Sequence, residues 1–516
     1  MPALSRRELL RSAGLVVAGS IVAACAGRPA SGGPVQGAGG GVPARGGVLR
    51  AAFAGAGPSE SLNPYAGSTP AEFVRSRAVY DELFRMQDGA PAGRLAVSAE
   101  PTADGSSFVL HLREGVTWQD GSPFGAADVA HTLRYLTSPQ RPYPSELSAF
   151  LDTAAIEVLD AHTVRVPTLR PVGDPPVLFA GASVSVLKDG TSGFEAGQVV
   201  GTGPYRLVAF EAGREARLAR FDGHWDGAPY ADELVVLSLD DPQARVNAVR
   251  AGQADFANDI PFALARTGAG APDLEIRSAG DAQRTGYGFV LNTTRIPVSD
   301  PRVRRAIRLA VDRQAMVDRV FLGYGAAAND LYGRGVRYFA GDVAAPAHDV
   351  ALARTLLGEA GATGAPLAIR SAEFETGLNA SAELMAESLR AVGLDARAEL
   401  VSPAELWTPD SLAAADLLAF PLGPFPLSVV YARSAAYPSL AFADPQLQQA
   451  ITTALATTDD AERSVAWRTA QEVMADRGNW VVWGLGDVLS LARASVTGIA
   501  VHDSAKYPYL GKAGLA

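Results

Sequence analysis

Phe108, Leu110 and Leu112 alternate with Val109, His111 and Arg113, the period of a strand with one buried face. Ile156-Glu157-Val158 and Thr163-Val164-Arg165-Val166 alternate in the same way about a turn at Asp160-Ala161. Gly47 to Phe53 reads as a short first strand, and Ala71 to Arg85 as a helix. Glu114-Gly115 and Asp120-Gly121 are tight-turn pairs. Gly125 then starts a helix, with Asp128 placed near its free N–H groups and Val129, Leu133 and Leu136 on one apolar face. Asp300-Pro301 is a strong helix start, and Val303, Ile307, Ala310, Val311 and Val317 recur behind it. Arg302, Arg304, Arg305 and Arg308 lie mostly off that face and read as solvated. Asp444-Pro445 repeats the start before Leu447, Ile451 and Leu455. Helices from Asp349 and from Ala382 end at Gly361 and Gly393. Leu394, Ala396, Ala398 and Leu400 alternate as a strand, and Trp480 to Leu485 is an apolar strand-like run. Helices and strands that alternate in this way predict an α/β protein.

At 516 residues the chain is too long for one ordinary domain, so two or three lobes are expected. Hydrophobic residues make up 48%, ample for a core. The net charge is −10 and no basic run occurs, which argues against nucleic acid as a partner. Cys25 is the only cysteine, so no intramolecular disulfide is possible. The six histidines are dispersed, and no GxSxG, HExxH, CxxC or P-loop pattern is present. The sequence therefore predicts no enzyme, no cofactor and no metal site.

The N-terminus reads as an address. Ser5-Arg6-Arg7-Glu8-Leu9-Leu10 resembles a twin-arginine export motif. The apolar run that follows, Ala13 to Ala24, is too short to span a bilayer comfortably. It ends in Val22-Ala23-Ala24-Cys25-Ala26, which resembles a bacterial lipobox, so Cys25 is the expected lipid attachment point. A plain secretory signal with an incidental cysteine is the alternative. Residues 26–46, rich in Gly, Pro, Ala and Ser, read as a flexible tether.

Three ordered blocks carry a family resemblance. The first is Leu112-Arg113-Glu114-Gly115-Val116-Thr117-Trp118-Gln119-Asp120-Gly121-Ser122-Pro123-Phe124, running on to Asp128-Val129. The second is Gly201-Thr202-Gly203-Pro204-Tyr205-Arg206-Leu207, with His224-Trp225-Asp226-Gly227-Ala228-Pro229 after it. The third is Leu291-Asn292-Thr293 followed by Asp300-Pro301-Arg302-Val303-Arg304-Arg305-Ala306. Together they resemble family 5 extracytoplasmic solute-binding proteins, the peptide- and nickel-type receptors of ABC importers. The resemblance implies a two-lobed periplasmic-binding-protein-like fold (type II, large peptide-binding cluster) with an extra subdomain in lobe 1. It divides the chain into a signal peptide (1–25), the tether (26–46), lobe 1 (47–62, 199–284 and 485–516), its subdomain (63–198) and lobe 2 (285–484). It implies a monomer that captures a small solute by lobe closure and delivers it to a membrane permease with its ATPase, while anchored outside the cell membrane through Cys25.

By the same resemblance, Leu62, Asn63 and Tyr65 fall at the mouth of the ligand cleft. Peptide-binding relatives hold the peptide ammonium with an aspartate in a stretch that here corresponds to Asp416 through Leu427. This stretch has no acid after Asp416, and Phe420 stands roughly at a tryptophan position. The expected cleft is therefore unusually apolar, lined by Phe420, Leu422, Phe425 and Trp407, and suited to an apolar or modified peptide or to a non-peptide solute. The alternative is that this stretch is a proline-rich structural loop and other residues hold the ammonium. A sensor or chaperone without a permease, and a surface hydrolase, are the remaining readings of the whole.

Overall fold

The computed structural model describes residues 35–36, 42–55, 57–67, 69–138, 145–435, 437–502 and 504–516. Cys25, the export motif and most of the expected tether lie outside these. Residues 42–46 are already held to the body: the Ala44 N–H donates to Leu515 O at 2.8 Å and the Gly46 N–H to Tyr230 O at 2.8 Å. Among the described residues no helix is long and apolar enough to cross a membrane.

Two large sheets organise the molecule. The first collects Val48–Phe53, Glu233–Ser238, Glu215–Arg220, Tyr205–Glu211, Phe256–Asn258, Leu274–Ser278 and Leu489–Arg493, with the short Val35–Gln36 at one edge. The second is ordered Gly325–Ala327, Trp480–Gly486, Thr285–Leu291, Leu417–Leu422, Pro366–Ser371, Asp395–Leu400. Helices cover both, which gives a two-lobed α/β protein. A four-stranded antiparallel sheet, Ala96–Pro101, Ser107–Leu112, Thr163–Pro167 and Glu157–Asp160, forms a subdomain with its own core around Trp118, Phe108 and Phe179.

Local rules account for most starts. Asp174, Asp241, Asp300 and Asp444 each accept a backbone N–H one turn in, and a proline follows each. The proline has no N–H to leave unsatisfied at a helix's first position. The first helix is shorter than its pattern predicts: it spans Pro70–Val79, and Phe84–Gln87 is a strand. Val79 O is diverted out of the helix, because it accepts from the Gly203 N–H at 2.9 Å and from Gln119 Nε2 at 3.2 Å. A second departure concerns the arginines after Asp300. Arg304 and Arg308 are 7% and 3% exposed, not solvated, and they donate to carbonyl oxygens at the end of the helix Asp460–Arg477.

Gln119 explains why two of the sequence blocks travel together. Its Nε2 also donates to Gly203 O at 3.0 Å and Tyr205 O at 2.7 Å, and its Oε1 accepts from the Gly201 N–H at 3.1 Å. One buried amide thus joins the end of the first helix, the Trp118 turn and the first strand of the 201–207 block. A Cβ on Gly201 would lie 1.8 Å from Val79 O, so only glycine allows this approach. We expect Gln119→Leu to lose about 2–3 kcal/mol in urea unfolding, because it leaves buried backbone groups unmatched. A loss within ~0.5 kcal/mol would mean that the amide is dispensable.

Candidate functional site

The chain passes between the two large sheets twice, from Ser278 to Thr285 and from Gly486 to Leu489. These crossings are tied to each other. Asp487 accepts from Arg284 Nε and, at 3.3 Å, from Ser278 Oγ, while its own N–H donates to Tyr324 O at 2.9 Å. Phe262 of the first lobe packs on Phe321 of the second with ring centroids 5.4 Å apart. Two linked crossings beside a shared apolar core are the geometry of a hinge. Asp487→Ala should cost about 1–3 kcal/mol and speed amide hydrogen exchange in residues 279–288. Unchanged exchange there would argue against a tied hinge.

The lobes also meet at a charged seam. On the first lobe, the segment from Ser504 is fixed from behind. Arg77 Nη1 donates to Tyr507 O at 2.6 Å, and Asn258 Nδ2 donates to Ala505 O and Lys506 O, each at 3.1 Å. Phe73 and Tyr507 pack with centroids 4.6 Å apart. This presents the Lys506 ammonium to the second lobe, where it lies 2.7 Å from Glu375 Oε1. Asp259 of the first lobe is 3.9 Å from the same nitrogen. The Lys506 and Glu375 side chains are only 8% and 11% exposed. Burial pushes the Glu375 carboxyl above its ordinary value against the pull of Lys506. Burial also opposes the Lys506 charge, but Glu375 and Asp259 together hold its pKa above the usual lysine value.

A second feature lies between the subdomain and the second lobe. Met86, Phe150 and Val177 of the subdomain face Leu427, Leu455 and Trp467 of the second lobe around a cavity of about 50 Å³, lined mainly by carbon. Asp174 and Arg463, 3.8 Å apart, stand at its polar edge.

The residues read from the sequence divide between the lobes. Trp407, Phe420, Leu422 and Phe425 share one apolar cluster of the second lobe. The Trp407 ring meets Phe420 and Phe374, each at 5.9 Å, and Arg433 lies over the Phe425 ring at 4.1 Å. Leu417–Leu422 is a strand, with Phe420 opposite Gly288 and Pro421 opposite Tyr287. Its other neighbour pairs only with Leu417 and Leu418, so the proline falls where the strand has a single partner. Leu62 and Asn63 line a separate small pocket with Tyr80 and Val199. Both polar atoms of Asn63 are engaged: its Oδ1 accepts from the Tyr65 N–H at 3.0 Å and its Nδ2 donates to Tyr135 Oη at 2.7 Å. Tyr65 Oη donates to Ser185 O.

Sequence reading missed Glu375, Lys506 and Asp259. They come from three distant segments and form no local pattern. Among the described residues no three His, Cys, Asp or Glu side chains gather as a metal site.

A hinge of two crossings and a charged seam between lobes are the geometry of a solute-binding protein. The family model for bacterial extracellular solute-binding proteins, family 5 (middle), matches residues 90–435. The chain belongs to that family. The glutathione-binding protein GsiB of Salmonella typhi is 28% identical over 307 residues, 58% of this chain and 59% of its own length. The chain thus spans about three-fifths of that relative in the match. GsiB of Escherichia coli K12 is 23% identical over 472 residues, 87% and 91% of the two chains. Among solved structures, the periplasmic binding protein DppA of Helicobacter pylori with the peptide STSA has the same fold. Its TM-score is 0.79 at 19% identity, with 92% of this chain and 98% of that one covered. NikZ of Campylobacter jejuni with Ni(L-His) gives 0.76 at 18%, covering 90% and 97%.

Proposed function

We propose that this protein is the receptor of an ABC importer. It captures a peptide or peptide-like solute between its lobes and delivers it, by docking in the closed form, to a membrane permease whose ATPase drives transport. Cys25 carries the lipid that keeps it at the outer face of the cell membrane, and the residues that follow form the tether. The observation that carries this reading is the seam itself. Charged groups of opposite sign stand on facing lobes, and an apolar cavity lies between the subdomain and the second lobe; together they suit a solute with a polar backbone and an apolar side chain. Such a solute touches both lobes and so favours the closed state over the open one. Phe425 leads directly into Pro426 and Leu427 of the cavity wall, and we place the apolar part of the solute there. Leu62, Asn63, Tyr65, Trp407, Phe420 and Leu422 then support the two walls.

Native mass spectrometry of the body purified from its own host, with gentle release of the bound solute, tests this reading. We expect a peptide or peptide-like mass. A sugar, a metal chelate or a lipid would overturn the choice of solute. Cys25→Ser should move the protein from the membrane fraction to the soluble extracytoplasmic fraction, and retention at the membrane would overturn the anchor.

A further inference from the structure

The subdomain approaches the second lobe more closely than a side chain allows. A Cβ on Gly173 would lie 1.8 Å from Thr457 O and 2.8 Å from Ala456 O. A Cβ on Gly181 would lie 2.4 Å from Val429 Cγ2. Gly173 stands in the loop just before the helix Pro175–Gly181, and Gly181 is the last residue of that helix. Thr457 caps the end of the helix Pro445–Ala456, and Val429 belongs to the helix Leu427–Ala435. One short element of the subdomain thus seats on two helices of the second lobe, and each seat requires a glycine.

The contact is also bonded. The Gly173 N–H donates to Leu455 O at 2.8 Å. A carbonyl in the last turn of a helix has no partner within the helix, so this one is open to a donor from another element. Arg463, whose side chain is 7% exposed, grips both sides at once. Its Nη2 donates to Gly173 O at 3.1 Å and to Thr457 O, and its Nη1 lies 3.8 Å from Asp174 Oδ2. Asp174 is set in place by its own helix, where it accepts from the Val177 N–H at 3.3 Å. The subdomain moves with the first lobe, because the Gln119 amide joins it to Gly203 O and Tyr205 O. Its contact with the second lobe therefore lies across the gap that the hinge opens and shuts.

Resting on the receptor reading above, we infer that the subdomain is a latch: Gly173 and Gly181 seat on the second lobe when the lobes close, and Arg463 locks them there. The latch uses no residue of the Lys506–Glu375 seam, so closure is held at two separate places. It sets how long the closed form lasts. A Cβ added at either glycine props the lobes ajar while every group of the hinge and the seam stays in place.

Amide hydrogen exchange of the body as purified, read by mass spectrometry, tests the latch from a distance. Gly173→Ala blocks the approach to Thr457 O. Gly181→Ala places a good helix former at a helix end and adds the clash with Val429. Gly358→Ala, where a Cβ meets nothing within 4 Å, is the control. We expect both latch variants to speed exchange roughly tenfold to a hundredfold in residues 373–379 and 504–509, which flank the seam and hold neither substitution. The control should match wild type. Arg463→Gln should act like the latch variants, and Arg463→Lys should recover part of the protection. Near-ultraviolet circular dichroism checks that each variant is folded. Seam exchange at the wild-type rate in either folded latch variant overturns the latch. The receptor reading is judged separately, on wild type before and after its solute is stripped. Equal seam exchange in those two preparations overturns solute-driven closure, whereas a difference between them beside silent variants overturns the latch alone.

Discussion

Asp81→Asn lowers the stability of the body by about 3–5 kcal/mol at neutral pH, because it breaks a buried charge network while leaving the partners in place. Asp81 is fully buried and lies just after the first helix. Its Oδ2 accepts from Trp225 Nε1 at 2.8 Å and pairs with His224 Nε2 at 3.2 Å, and its Oδ1 accepts from Arg94 at 3.3 Å. The guanidinium groups of Arg94 and Arg113 both lie over the Trp225 ring, at 4.6 and 4.3 Å. Burial alone would raise the Asp81 pKa. The hydrogen bond and charge of His224, with the charges of Arg94 and Arg85, outweigh it and hold the carboxyl well below the usual carboxylate range. The sign for stability follows. A folded-state pKa below the unfolded one gives stabilisation that is complete above about pH 5 and is lost as the pH falls below about 4. Wild type should therefore show a steep acid limb in urea midpoints, and Asp81→Asn a flatter one from a lower plateau. Parallel acid limbs would show that Asp81 titrates alike in both states.

This network also locates what the sequence could and could not reveal. Blocks 112–129 and 201–229 were legible as a family signature, and their starts and turns as local physics, because turn pairs and capping acids act on their immediate neighbours. Asp300, Asp444 and Asp128 cap helices as their spacing predicts. The reason for the blocks was not legible. Gln119 and Asp81 act across 82 or more positions, on Gly201 and on His224 and Trp225. Nothing in the spacing of a polar residue says that it will be buried. The apolar residues Phe420, Leu422, Phe425 and Trp407 could be named from their stretch of chain, whereas the charged seam could not. Lys506 and Glu375 are 131 positions apart by number and meet only when the lobes do. The arginines show the opposite error. A cation off the apolar face of a helix is solvated unless another element's unpaired carbonyls reach it, and that element here follows some 150 residues later.

Arg308→Met is the second large effect, with an expected loss of about 3–5 kcal/mol in denaturant unfolding. Arg308 donates to five carbonyl oxygens. Nη2 reaches Met474 O at 3.0 Å and Gly478 O at 2.6 Å, Nη1 reaches Ala475 O and Asp476 O at 2.9 Å each, and Nε reaches Trp480 O at 3.3 Å. These are carbonyls at the end of the helix Asp460–Arg477 and its link into the strand Trp480–Gly486, most of them without a partner within the helix. Methionine fills much of the volume but returns none of the donors. Arg308→Lys should recover less than half of the loss, since an ammonium cannot fan out over five oxygens as the planar guanidinium does. Full recovery by lysine would mean that charge alone, not the fork, holds this junction. The strand concerned carries Trp480 and Trp483, both fully buried, so near-ultraviolet circular dichroism reports its loosening directly.

The central claim is capture of a solute by closure of the two lobes about the tied hinge. Small-angle X-ray scattering of the body as purified with its solute, and again after the solute is stripped, tests that claim most directly. The account predicts a larger radius of gyration in the stripped protein, reversed when the released solute is returned. Superimposable curves in all three states would contradict it.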